Sequence, residues 1–248
     1  MKNIMLYLAM LIILLSCNKN PTEPVPELKP CELFATGIYN DTLAGKVPTK
    51  FWPCMGTGDL VDAASYHFPS LYMFMAGCCG LQSGYDLCRK KYSWYVELEG
   101  RTDALEHLIA KYKSIDTVHY DLKLYPMDFG GFKWYTYNLE VFMAQEVYLK
   151  NATDKQRLAL LNELFVKQSI RKGQPGDFGV EGPTLVMARM MFYYNYKPFL
   201  DIANQNPQIQ YLIELGDLRM NTSEGIQAQL VIFSMTYNFI DELKIQLK

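Results

Sequence analysis

Histidine is scarce in this chain: only His67, His107 and His119 occur among 248 residues. A thiol nucleophile needs an activating base close by, so cysteine-dependent hydrolysis has few places to begin. The G-x-S-x-G, H-E-x-x-H and G-x-x-x-x-G-K-[ST] patterns are missing, as is a dinucleotide-type glycine fingerprint. "GDFGVEGP" holds a kinase-like "DFG" at Asp177 to Gly179 without any other kinase element, and it reads as a glycine-rich loop before a helix. An excess of one charge is lacking too: 24 Lys and Arg stand against 26 Asp and Glu, a net of −2. With no basic cluster interleaved with aromatics, a nucleic-acid surface is excluded. "RKK" at Arg89 to Lys91 and "IRKG" at Ile170 to Gly173 are short runs of the kind that solvate a helix end. Strand-like alternation is confined to Val118 to Tyr125 and is closed by Pro126. The cysteines lack the paired spacing of a tetrahedral zinc site. The sequence therefore assigns no catalytic, metal or cofactor residue.

What is there begins with a single long apolar run. Lys2 precedes an uncharged stretch from Ile4 to Leu15, too short to span the roughly 30 Å of a bilayer core as a mature helix. The run reads as an export signal. It ends in Leu14-Leu15-Ser16-Cys17, a tetrad that resembles the lipobox of bacterial lipoproteins. That resemblance implies cleavage before Cys17, acylation of its thiol, and attachment to a membrane through the lipid anchor. Asn18, rather than aspartate, follows the cysteine; by the same resemblance this points to the outer membrane or cell surface. "NKNPTEPVPELKP" then offers Pro21, Pro24, Pro26 and Pro30 and almost nothing to bury. Proline fixes φ and removes a donor, so this segment is an extended, solvated tether.

Beyond Cys17 lie Cys31, Cys54, Cys78, Cys79 and Cys88, an odd number, so at least one is unpaired or pairs between molecules. Cys31 and Cys54 can form a disulfide stapling the start of the body, since an exported chain permits one. Cys78 and Cys79 sit in "MFMAGCCGLQ", where small residues let two helices approach, and read as packing thiols.

Helical periodicity dominates the rest. "TDALEHLIAKY" offers Thr102 as N-cap and repeats Leu105, Leu108, Ile109 and Tyr112 at helical spacing. "TDKQRLALLNELFVKQ" carries a capping box, Thr153 with Gln156, and a stripe of Leu158, Leu161 and Phe165. Thr57 can cap a helix with Leu60, Val61 and Ala64, and Pro69 can open another. Residues 81–99 and 133–149 each read as a helix. "GPTLVMARMMFYYN" is apolar on nearly every side and predicts the central helix. From Ser223, the longest helix is expected to place Ile226, Leu230, Phe233, Tyr237 and Ile240 on one face for about four turns.

The expected fold class is all-α: an irregular helical stack, α-solenoid-like with HEAT-type pairs, or a compact helical bundle. Residues 1–16 are then a lipoprotein signal peptide, 17–30 a proline-rich tether and 31–248 a single helical domain. "NATDKQRLALLNELFVKQ" after "LEVFMAQEVYL", and "RTDALEHLIAKY" after "GYDLCRKKY", resemble helical lipoproteins of the Bacteroidota that carry no assigned activity. "DTL" at Asp41 and "DTV" at Asp116 resemble that phylum's O-glycosylation sites.

Three function classes follow. The first is a membrane-anchored, non-catalytic interaction module with a protein or glycan partner. For it, "FKWYTYN" at Phe132 to Asn138 supplies candidate face aromatics and "GQPGDFGVEGP", from Gly173 to Pro183, a candidate binding loop. The second is a glycan- or peptidoglycan-acting hydrolase drawing a carboxylate pair from Asp128, Glu140, Asp177 and Glu181. The third is a protective protein that binds a toxin or hydrolase.

Overall fold

The computed structural model describes residues 31, 48–65, 80–115, 129–171, 181–217 and 222–248. The signal, the tether, the helix expected at Pro69, Cys78 and Cys79, the alternating stretch at 118–125 and loop residues 172–180 lie outside the described residues. Within them the chain is all-helical. A 3-10 turn (Thr49–Cys54) precedes eleven α-helices: α1 (Thr57–Ser65), α2 (Gly80–Lys91), α3 (Ser93–Glu99), α4 (Ala104–Ser114), α5 (Phe129–Met143), α6 (Glu146–Leu149), α7 (Asp154–Arg171), α8 (Glu181–Tyr193), α9 (Lys197–Ala203), α10 (Pro207–Leu215) and α11 (Ser223–Gln246). None of these is long and apolar enough to cross a membrane.

Side-chain caps set the starts of α7, α10 and α11. The capping box before α7 forms as expected: Thr153 Oγ1 accepts from Gln156 N at 3.2 Å, and Gln156 Oε1 accepts from Thr153 N at 2.9 Å. Asn206 caps α10 by accepting from Gln208 N and Ile209 N, with Pro207 in the first helical position. Thr222 caps α11 through Gly225 N at 3.0 Å. Other boundaries differ from expectation. Asp103, not Thr102, precedes α4, and it makes no side-chain cap. Thr57 lies inside α1 and its hydroxyl donates to Asp103 at 2.8 Å instead of capping. The helix expected over 81–99 breaks at Tyr92, which is extended (φ −119°, ψ 106°). The helix expected over 133–149 breaks before Gln145, also extended, whose side-chain amide turns back to Val141 O at 2.7 Å. Apolar periodicity runs through both breaks and cannot reveal them.

Helix α8 is the hub. It packs against α5, α6, α7, α9, α10 and α11, and residues 182–191 are all buried. Leu185, Val186, Met187, Met190 and Met191 are fully buried, and each such side chain contributes about 1.5–3 kcal/mol by leaving water. Helices far apart in sequence meet, such as α2 and α10. Such contacts fit a helical stack or bundle. The α2–α10 contact requires glycine on both sides. A Cβ on Gly80 (φ +81°) would lie 2.3 Å from Leu215 O, and one on Gly216 (φ +71°) would lie 2.8 Å from the Leu81 side chain.

The longest helix buries a face other than its most apolar stripe. Helix α11 does begin at Ser223, but Ile226, Leu230 and Tyr237 are about half exposed. Its buried face is Gly225, Ala228, Gln229, Ile232, Thr236, Phe239, Ile240 and Leu243. Small residues at 225, 228 and 236 let the helix approach α8 closely. Thr236 returns its hydroxyl to Ile232 O at 2.7 Å, which makes it acceptable there. Only Ile240 of the expected stripe is fully within the core.

Many short helices mean many buried ends, and the last carbonyls of each end need donors. Cations supply them. Arg189, 2% exposed within α8, donates from Nε to Ile213 O at 2.9 Å and from Nη2 to Glu214 O at 3.4 Å. Its Nη1 reaches Ala144 O at 3.4 Å, past the end of α5, and Gln82 Oε1 at 2.6 Å. Burial lowers its pKa from the ordinary arginine value. Lys167 closes the end of α4 through Ile115 O at 2.7 Å, beside Glu163 at 3.0 Å. Arg101 holds Trp52 O and Met55 O of the N-terminal turn at 3.1 and 2.9 Å. There, a disulfide joins Cys54 to Cys31.

Two outcomes are expected. Arg189→Met strands several buried carbonyls and should lower unfolding free energy by about 3–5 kcal/mol, measured by denaturant titration, whereas Arg189→Lys should recover part of it. Replacing Cys31 and Cys54 together by serine should lower stability by about 2–4 kcal/mol, read as a lower Tm, with no further loss on reduction.

Candidate functional site

A cleft of about 450 Å³ opens where α2 faces α6, lined by Tyr85, Asp86, Arg89, Glu99, Gln145, Glu146, Val147, Lys150 and Asn151. Beneath it lies an aromatic cluster, of which Tyr85 alone lines the cleft. Phe142 of α5 lies 5.3 Å from Tyr85, 5.0 Å from Tyr95 and 5.6 Å from Tyr148, ring centre to ring centre, and Trp94 lies tilted against Tyr95 at 4.1 Å. These rings are buried and interlocked, so the cluster is rigid. The Tyr85 hydroxyl emerges from it and donates to Glu99 Oε1 at 2.7 Å. The Tyr148 hydroxyl comes close to that of Tyr85 without reaching hydrogen-bond geometry.

Glu99 closes α3 and clamps Arg89. Arg89 Nε lies 2.9 Å from Oε1 and 2.7 Å from Oε2, and this pairing raises the arginine pKa. With Nε fixed, the guanidinium plane is oriented, and both terminal nitrogens are without an acceptor among the described residues. Asp86 lies one helical turn before Arg89, on the same face of α2. Its Oδ1 accepts from Gln82 Nε2 at 2.9 Å, and the same amide nitrogen reaches Gln145 Oε1 at 3.1 Å. Gln82 is in turn held by buried Arg189. The opposite wall carries Glu146 and Lys150, paired loosely at 3.3 Å and well exposed. Donors and acceptors thus face each other across the cleft, backed by a hydrogen-bond relay that starts at buried Arg189 and ends at exposed Asp86.

Burial pushes the pKa of Tyr85 well above its ordinary value, with Tyr148 and Glu99 adding to the effect; burial does the same to Tyr148. Both stay neutral near neutral pH, and Tyr85 serves there as a hydrogen-bond donor to Glu99. Cys88 is buried against this cluster and burial raises its thiol pKa, so it is a packing residue.

The residues singled out in the sequence fall elsewhere. Cys17, Asp128 and Asp177, with most of the loop from Gly173 to Pro183, lie outside the described residues. Glu181 opens α8. Glu140 is not a surface acid: it is fully buried in α5 and accepts from the Tyr112 hydroxyl at 2.5 Å, so it cannot serve an open cleft. Thr136, Tyr137 and Asn138, the second half of the "FKWYTYN" stretch, are in the core. Arg89, Lys90 and Lys91 form the exposed last turn of α2, as read from the sequence; what the sequence did not show is that Arg89 is also clamped by Glu99 at the cleft. The spacings Asp86 to Arg89 and Glu146 to Lys150 are visible in sequence, but their meeting depends on how α2 and α6 pack. No three or more His, Cys, Asp or Glu side chains converge for a metal ion among the described residues.

No protein-family model matches the chain, and no curated protein or solved structure matches it either.

The buried tyrosines make an alkaline prediction. Their folded pKa values lie above the unfolded value of about 10, so their contribution is fully present below that pH and is lost as pH rises beyond it. Unfolding free energy should fall above about pH 10, and the tyrosinate absorbance of Tyr85 and Tyr148 should appear only as the protein unfolds; Tyr148→Phe should shallow the slope.

Proposed function

We propose that this protein is a lipid-anchored envelope protein whose helical body binds a ligand and turns over nothing. Acylated Cys17 would be the anchor, the segment 17–30 the spacer, and the outer membrane or cell surface the location. Supporting the anchor are the lipobox-like tetrad and the proline spacing; a disulfide between Cys31 and Cys54 fits an oxidising compartment outside the cytoplasm. The binding reading rests on one observation above all. Glu99, the carboxylate deepest in the cleft, is engaged by Arg89 and Tyr85, so the arrangement presents an oriented arginine instead of a reactive acid. Interfaces and ligand sites use such pre-oriented, charge-assisted donors because little ordering remains to be done on binding.

Metabolic labelling with a palmitate analogue tests the anchor: label should enter the wild-type protein and be absent from Cys17→Ala, and label persisting in that variant would contradict it. Pull-downs and glycan arrays with the same protein should yield a protein or glycan partner. Hydrolysis of envelope or dietary glycans, lost on changing Asp177 or Glu181, would replace the binding reading with a hydrolase.

A further inference from the structure

We infer that the cleft between α2 and α6 binds the α-amino acid group, with the ligand carboxylate on Arg89 and its ammonium between Asp86 and Glu146. The inference rests on the reading that the body binds a ligand. Charge comes first. Asp86, Glu99 and Glu146 stand against Arg89 and Lys150, three carboxylates to two cations, so the cleft is net negative and repels a simple anion. A simple cation would leave the Arg89 terminal nitrogens unserved. One ligand group carrying both signs on adjacent atoms satisfies both walls.

The individual positions agree. Glu99 takes only Nε of Arg89, which leaves the outer edge of the guanidinium, the edge that grips a carboxylate with two parallel hydrogen bonds. Asp86 uses Oδ1 for Gln82 and keeps Oδ2. Glu146 uses Oε1 for Lys150 and keeps Oε2. The Glu146–Lys150 pair is exposed and long, so little opposes Lys150 turning to the ligand carboxylate while Glu146 takes the ammonium. Gln82, fixed by Arg189 at 2.6 Å, sets the orientation of Asp86 and is a positioning residue. The volume of about 450 Å³ lies within the roughly 300–1,000 Å³ of small-molecule sites. The open mouth admits either a free amino acid or an unblocked α-amino acid branch of a larger peptide.

Isothermal titration calorimetry on the full-length mature protein in detergent decides it. The probes are the free amino acids, their N-acetyl and C-amide derivatives, inorganic phosphate, and a peptide linked through a lysine side chain so that the lysine α-centre is free. Binding of at least one free amino acid is expected, with acetylation or amidation weakening it by about tenfold or more. Arg89→Gln and Asp86→Asn should each weaken it about tenfold or more, and only the second should narrow the gap between an amino acid and its N-acetyl form. Asp86→Asn is nearly isosteric and exposed, which separates binding from folding; its Tm should stay at the wild-type value. Tighter binding of the lysine-linked peptide than of free lysine would assign the ligand to a polymer branch, and the reverse would assign it to the free amino acid. Absence of binding by every amino acid and the peptide, equal binding of phosphate, or binding unchanged in Asp86→Asn overturns the inference. A captured partner indifferent to Asp86→Asn would leave the binding reading intact while removing this ligand, whereas glycan hydrolysis would remove the binding reading.

Discussion

Arg189 carries the constraint on which the rest depends. A helix end holds about half a negative charge on carbonyls that lack donors, and a bundle of short helices buries several such ends at once. Arg189 sits inside the central helix and serves carbonyls at Ala144, Ile213 and Glu214, so one side chain finishes two helices that flank α8. A buried cation is ordinarily expensive. Here carbonyl dipoles and the Gln82 amide oxygen surround it, which is how the site retains a charge with no carboxylate in hydrogen-bond contact. Lys167 at Ile115 and Arg101 at the N-terminal turn repeat the device. Such donors also have direction, and they fix where each helix stops as well as that it stops.

The same bonding reaches the surface. From Arg189 the chain of contacts runs through Gln82 to Asp86 and Gln145, and so to the wall of the cleft. On the other side, Glu99 at the end of α3 reaches across to Arg89 near the end of α2 and to Tyr85 in the aromatic cluster. Core and cleft are therefore not separate constructions. The breaks at Tyr92 and Gln145, which interrupt what would otherwise be two long helices, create the short α3 and α6 that bring Glu99, Glu146 and Lys150 to one place.

Much of the fold was legible in the sequence because it rests on local rules. The capping box at Thr153 and Gln156, the all-round apolarity of α8 and the start of α11 at Ser223 are each decided within a few residues. What was not legible depends on partners. The buried face of α11 combines Gly225, Ala228 and Thr236 with Ile232, Phe239, Ile240 and Leu243, so apolar size alone, which selects Ile226, Leu230 and Tyr237, does not identify it. Glu140 looks like any acid until Tyr112 is seen against it. Arg89 is the solvated helix end that its sequence suggests, but its pairing with Glu99 depends on how α3 turns back. Arg189, the most consequential side chain, is a single charge in an apolar run, and no spacing announces which carbonyls it will meet.

The central claim is that the Arg189 guanidinium is a permanent, buried part of the frame. Hydrogen exchange of the Arg189 Nε–H, resolved by nitrogen-15 NMR, tests it most directly. The account predicts a single sharp resonance that exchanges only with global unfolding, at the rate of the slowest backbone amides in α8. Exchange of Arg189 as fast as that of a solvent-exposed arginine, in a protein whose α8 amides remain protected, would contradict it.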